Sequence, residues 1–152
     1  METIEKYPIA RSILQNNGWH EKRKVMLDDF LNQLKKEGYA VTLRQKEFLE
    51  NFSGLEVEFN NIQDIERNIQ FFPYAYGISQ RYIKLYEKSV NVCSLVPIGG
   101  IEGDNDFLIM DDKLQIYACF EYDIAFYDRN IFEVIEMLYK AQDKKIFWNR
   151  VY

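Results

Sequence analysis

Residues 42–60, TLRQKEFLENFSGLEVEFN, change their hydrophobic period half-way along. In the first half, Phe48, Leu49 and Phe52 recur at helical spacing and make one apolar face. Thr42 and Gln45 have the spacing of a capping box, in which each side chain satisfies a backbone donor of the other residue. Gly54 suits the turn that ends such a helix. From Leu55 the pattern differs. Leu55, Val57 and Phe59 alternate with Glu56, Glu58 and Asn60, as in a strand with one face buried. A helix that runs straight into an alternating strand divides the chain, with helices ahead of it and strands behind.

Upstream, Pro8 suits the first turn of a helix whose stripe is Ile9, Ile13 and Leu14 and whose stop is Gly18. Leu27, Phe30, Leu31 and Leu34 predict a second helix from Lys24 to Glu37, ended by Gly38. Downstream, Ile62 to Gly77 is aromatic and broken by Pro73, and reads as a helical turn over Asp64 to Gln70 followed by irregular backbone. Ser79 to Val90 reads as a helix with Tyr82, Ile83, Tyr86 and Val90 inward. The apolar runs Leu95 to Ile98, Phe107 to Met110 and Leu114 to Glu121 predict strands. Gly99-Gly100 and Gly103-Asp104-Asn105 mark one connection between them, and Asp111-Asp112-Lys113 marks a hairpin turn. Tyr122 to Tyr127 predicts a further short strand. A helix from Asn130, with Glu133 as its capping partner and Ile131, Val134, Ile135 and Leu138 as its stripe, closes the chain. Helices and strands segregated in this way argue an α+β fold in a single domain, residues 1–152.

The 152 residues carry a formal charge of −5 and are 47% hydrophobic, so a packed core is expected and a disordered chain is not. The negative balance argues against direct binding of nucleic acid, whose phosphates need a basic face. No apolar run reaches the ~20 residues of a membrane span. The start of the chain, with Glu2 and Glu5, lacks the apolar stretch of a secretory signal. The expected location is the cytoplasm, with no membrane association. Cys93 and Cys119 sit in apolar runs and read as buried free thiols, with a disulfide as the alternative.

Catalytic chemistry finds little footing. His20 is the single histidine and follows Trp19 in a charged stretch, the setting of a solvated loop. A metal centre of ordinary composition needs several such ligands, so neither a metal nor another cofactor is expected. Gly99, Gly100 and Gly103 do not make a phosphate loop. No Lys-Ser or Lys-Thr follows them, and Glu102, Asp104 and Asp106 repel phosphate. These acids also miss the spacing of an EF-hand. The adjacent Asp111 and Asp112 stand where a turn uses carboxylates to shape its backbone.

Charge is the stronger signal. Residues 99–128 hold eight acids and one base, Lys113, for a net of −7 against −5 for the whole chain. Such a segment can serve solubility alone, or it can dock a basic partner and speed encounter with it. Tyr117 and Tyr122 lie within it, and tyrosine suits interfaces because it joins apolar area to a polar tip. The expected partner-binding residues are therefore Glu102, Asp104, Asp106, Asp111, Asp112, Tyr117, Glu121, Tyr122 and Asp123.

The order of several motifs resembles the SUKH superfamily of bacterial immunity proteins, and within it the third branch. These are Gly18-Trp19 with Arg23, then Phe48-Leu49, Phe52 and Gly54-Leu55-Glu56-Val57. After them come Pro97-Ile98-Gly99, Phe107-Leu108-Ile109-Met110-Asp111, Ile116-Tyr117, and the helix with Glu133, Val134, Ile135 and Leu138. The resemblance spans about Ile13 to Tyr139. It departs at His20-Glu21-Lys22, where the family often has a proline, and at Ala118-Cys119-Phe120, where a glycine is common. It implies a mixed, mainly antiparallel sheet packed by N-terminal helices and a C-terminal helix. It also implies a non-enzymatic antidote that binds a toxin domain, often a nuclease or deaminase. A nuclease-type partner is commonly basic, which suits the acidic segment. Two other readings stand beside this one: a non-catalytic scaffold module with an endogenous partner, and a ligand binder with a cleft near Ile62 to Gly77. Oligomeric state is left open, and so is the identity of the toxin.

Overall fold

Thr42 opens its helix as its spacing requires. In a computed structural model, which describes residues 4–73, 80–92, 94–101, 106–120, 123–142 and 147–150, the Thr42 hydroxyl accepts from Gln45 N, and Gln45 Oε1 accepts from Thr42 N. The helix is α3, Leu43–Phe52, preceded by α1, Pro8–Asn16, and α2, Asp28–Lys36. α2 starts four residues later than its apolar stripe suggests. The chain ahead of it is held against α3 instead, through Val25 N donating to Glu50 O at 2.8 Å.

Strand β1, Glu56–Asn60, follows as expected, but residues 66–70 are strand β2 and not a helical turn. Asn61 decides this. Its Oδ1 accepts from the backbone N of Gln63 and of Ile65, and Asp64 takes a left-handed φ of 58°, so the chain reverses in a tight turn. β2 then pairs antiparallel with β1, Val57 opposite Ile69 and Glu58 opposite Asn68. After α4, Gln80–Val90, come β3, Val96–Ile101, β4, Asp106–Met110, β5, Ile116–Phe120, and β6, Asp123–Phe126. α5, Ile131–Tyr139, opens with the predicted Asn130–Glu133 capping box. It does not close the chain. β7, Phe147–Arg150, returns to pair with β6; its short run lacked the alternation that marks a strand. The sheet order is β1-β2-β3-β4-β5-β6-β7, every neighbouring pair antiparallel, so the fold is α+β as the sequence indicates.

Gly99-Gly100, expected in a connection, lie inside β3. A Cβ on Gly99 would stand 1.9 Å from the backbone O of Gln70, and its φ is +155°. Glycine here is what lets β3 close on β2. The core joins α1, α3 and α5 to the sheet around an aromatic nest. Phe52 lies 4.4 Å from Phe48, 5.2 Å from Phe71, 5.9 Å from Trp19 and 6.2 Å from Phe132, centroid to centroid. Ile83 and Tyr86 of α4 are buried, as predicted, while the Tyr82 side chain lies outside the described residues. Cys119 is a buried free thiol pushed well up by burial and by Asp106; Cys93 lies outside the described residues.

Two tethers complete the frame. α1 has no side-chain cap of its own. Glu136 of α5 supplies it, accepting from Ile9 N at 3.0 Å and Ala10 N at 3.1 Å, a placement that also suits the positive end of the helix dipole. At the edge of the sheet, the Asn17 amide accepts from Glu58 N and donates to Glu58 O, both at 3.0 Å. A side chain thus occupies the middle of the β1 edge, where another strand could otherwise add.

Candidate partner-binding site

In an up-and-down antiparallel sheet, alternate turns fall on the same end. The β1–β2 turn, the C-terminus of β3, the N-terminus of β4, the C-terminus of β5 and the N-terminus of β6 therefore share one end here, as the pairs Asn60–Glu66, Ile101–Asp106 and Phe120–Asp123 show. The β4–β5 turn lies at the other end. This divides the residues expected to bind a partner. Asp106 and Asp123 stand at the first end, and Asp111 and Asp112 at the second. Glu102, Asp104, Glu121 and Tyr122 lie outside the described residues.

Burial divides them again. Asp111 is 4% exposed and works inward. Its Oδ1 accepts from the backbone N of Lys113 and of Gln115, and its Oδ2 accepts from the Tyr117 hydroxyl at 2.9 Å. Leu114 supplies the left-handed residue of the turn, φ 63°. This is the same five-residue turn that Asn61 builds between β1 and β2, with Asp64 in the place of Leu114. Asp111 thus shapes the hairpin, the role its place in a turn suggests. Asp106 and Tyr117 are also buried, while Asp112 and Asp123 are half-buried. His20 is exposed in its loop.

The Tyr117 hydroxyl is pushed upward by burial first, then by the charge and hydrogen bond of Asp111. Tyr39 is pushed up to about 12, by burial and then by Glu37 and Glu87. Unfolded tyrosine releases its proton near pH 10. Above that pH the unfolded chain loses protons that the folded chain retains, so stability falls as pH rises. Urea midpoints should therefore hold below about pH 10 and decline from about pH 10 to 12. The double variant Y39F/Y117F should flatten that decline; an equally steep decline in the variant would reject the assignment.

The first end also holds residues that sequence reasoning passed over. Ile62 and Ile65 are 61% and 52% exposed, and Phe120 is 41% exposed. Asp64 and Glu66 are exposed beside them. The turn is fastened from behind by Ile62 N donating to Tyr139 O at 2.9 Å, so its backbone is anchored while its isoleucines face solvent. Along the outer face of the same hairpin run Glu56 and Glu58, both exposed. Beneath them the buried Asn68 amide donates to Glu56 Oε1 at 2.9 Å and Glu58 Oε1 at 3.4 Å. The alternation of Glu56 and Glu58 and the turn residues from Asn61 to Asp64 were visible signals. Among the described residues no group of three or more His, Cys, Asp or Glu side chains is placed to hold a metal ion.

The model of the SUKH-3 immunity protein family matches residues 7–141. The chain belongs to that family. No curated protein and no solved structure matches the chain. In this SUKH-3 protein the match begins at Tyr7, the residue before α1, and ends at Ala141, just past α5, so β7 lies beyond it. The motif of Trp19 and Arg23 meets the end of α3 at one corner. Trp19 Nε1 donates to Asn51 Oδ1 at 2.7 Å, and Asn51 Nδ2 donates to the carbonyls of His20, Glu21 and Arg23. Arg23 Nη1 returns a bond to Asn51 O at 2.8 Å. A Cβ on Gly54 would stand at ordinary contact distance, 3.4 Å, from the Arg23 guanidinium, so what favours glycine at the end of α3 is its left-handed φ of +88°. Trp19, Arg23 and Asn51 thus form a structural joint between the loop after α1 and the end of α3.

Proposed function

We propose that this chain is an antidote: it binds a cognate toxin domain one-to-one in the cytoplasm and blocks it, with no chemistry of its own. Membership of an immunity protein family over residues 7–141 carries this reading. The toxin is of nuclease or deaminase type, an enzyme that handles an anionic substrate and presents basic surface to it. The acidity of residues 99–128 complements such a surface and accelerates encounter with it. Within that segment Asp123, with Glu102, Asp104, Glu121 and Tyr122, acts toward the partner directly, and Asp112, at the other end of the sheet, acts only through the long-range field. Asp106, Asp111 and Tyr117 contribute from beneath, by fixing strand ends and the β4–β5 turn. No helix among the described residues is long and apolar enough to cross a membrane.

The test is co-expression with the toxin domain encoded beside this chain, scoring survival and co-purification together. Survival with a stable one-to-one complex is the expected result. Death without a complex would overturn the reading and favour a scaffold module with an endogenous partner.

A further inference from the structure

Five large hydrophobic side chains are exposed among the described residues: Met26, Leu43, Ile62, Ile65 and Phe120. The strand order brings three of them, Ile62, Ile65 and Phe120, to one end of the sheet. Glu66 on β2 and Phe120 on β5 are three strand spacings apart, about 14 Å, well within one protein–protein interface of about 800 Å² per partner. The same end carries Asp64, Glu66 and Asp123, of which Asp64 and Glu66 are exposed. Ile62 and Ile65, held out on an anchored turn beside the exposed Asp64 and Glu66, have the composition of a hot spot with a charged rim.

We infer that this end of the sheet is the docking surface for the toxin, with Ile62, Ile65 and Phe120 as apolar anchors and the acids around them matched to a basic face of the partner. The inference rests on the toxin-binding reading above and says where on the molecule that binding occurs. The occupant is a basic protein surface because of charge complementarity: the exposed carboxylates Asp64 and Glu66 stand beside Ile62 and Ile65. A partner strand adding along β1 is disfavoured, since Asn17 already occupies both backbone groups of Glu58. The partner therefore meets the turn end and not the β1 edge.

The experiment uses the full chain and a catalytically inactivated form of the toxin domain encoded beside it. Three variants are compared with the parent. I62A/I65A/F120A removes the anchors. D64N/E66Q removes charge without changing shape, and asparagine tolerates the left-handed backbone at position 64. M26A/L43A removes the exposed hydrophobics that lie elsewhere. Each variant is first checked for an unchanged melting temperature. The anchor variant should weaken the complex at least about 30-fold, mainly through faster dissociation. The charge variant should slow association severalfold at low salt, with the difference shrinking as salt rises. M26A/L43A should bind as the parent does. If the parent binds and all three variants match it, the surface is wrong and the toxin reading stands. If M26A/L43A alone weakens binding, the surface lies at α2 and α3 and the inference is overturned. If the parent itself does not bind, the toxin reading falls and takes this surface with it.

Discussion

Replacing Gly99 by alanine is expected to cost this protein about 3 kcal/mol or more. The new Cβ would lie 1.9 Å from Gln70 O, 2.9 Å from Gln70 C and 3.0 Å from Phe71 Cα. All three are backbone atoms, which no rotamer change can move. The strand must retreat, and the β2–β3 joint has little to give, since its register consists of Ile69–Ile101 and Gln70–Gly100. Gly18 is the proper control. It also has a left-handed φ, +92°, but nothing lies within 4 Å of its added Cβ. Gly18→Ala should therefore cost about 1 kcal/mol, the conformational part alone. In urea the Gly99→Ala midpoint should fall by about 1–2 M, and that of Gly18→Ala by about half a molar or less. Equal losses would show that crowding at Gln70 is not what holds position 99 to glycine.

Phe52→Ala should be comparably severe, at about 3–5 kcal/mol. The side chain is fully buried and its ring touches rings from four parts of the chain: Phe48 on its own helix, Trp19 after α1, Phe71 after β2 and Phe132 on α5. Truncation opens a cavity whose walls belong to separate elements, so no single side chain can swing in to fill it. Against a total stability of roughly 5–15 kcal/mol for a domain of this size, the loss is a large fraction. Phe52→Leu keeps most of the volume and should cost about 1–2 kcal/mol. In a Trp148→Phe background Trp19 is the remaining tryptophan, and its emission should shift to the red in Phe52→Ala but not in Phe52→Leu. A Phe52→Ala protein that melts like its parent would mean that the nest is not the keystone described here.

The sequence was legible where structure is local. Both capping boxes, at Thr42 and Asn130, involve residues three apart, and the stripes of α1 and α3 and the alternation of β1 follow from near neighbours. β2 was missed because its run, Glu66-Arg67-Asn68-Ile69-Gln70, holds one apolar residue and no period. It is a strand because β1 needs a partner and Asn61 turns the chain toward it. Gly99 was misplaced for a related reason. Adjacent glycines look like a turn in sequence, and the need for one comes from Gln70, which only strand order brings near. For the candidate site, acidity could be read directly, but the direction in which each acid faces could not. Asp111 and Asp112 are neighbours in sequence, yet the first is spent on the turn and the second is half-exposed. Ile62 and Ile65 were passed over, since the composition of a turn does not reveal which side chains it leaves outside.

Glu136 has a consequence for how the protein comes into being. The backbone N of Ile9 waits for a carboxylate 127 positions further along the chain. A ribosome adding about 5–20 residues per second needs on the order of ten seconds to cover that interval. Throughout it α1 is a nine-residue helix without its cap, too short to persist by itself. Ala10, Ile13 and Leu14, later buried, are meanwhile exposed. α1 is thus made long before it becomes secure, and its cap forms only when α5 has left the ribosome.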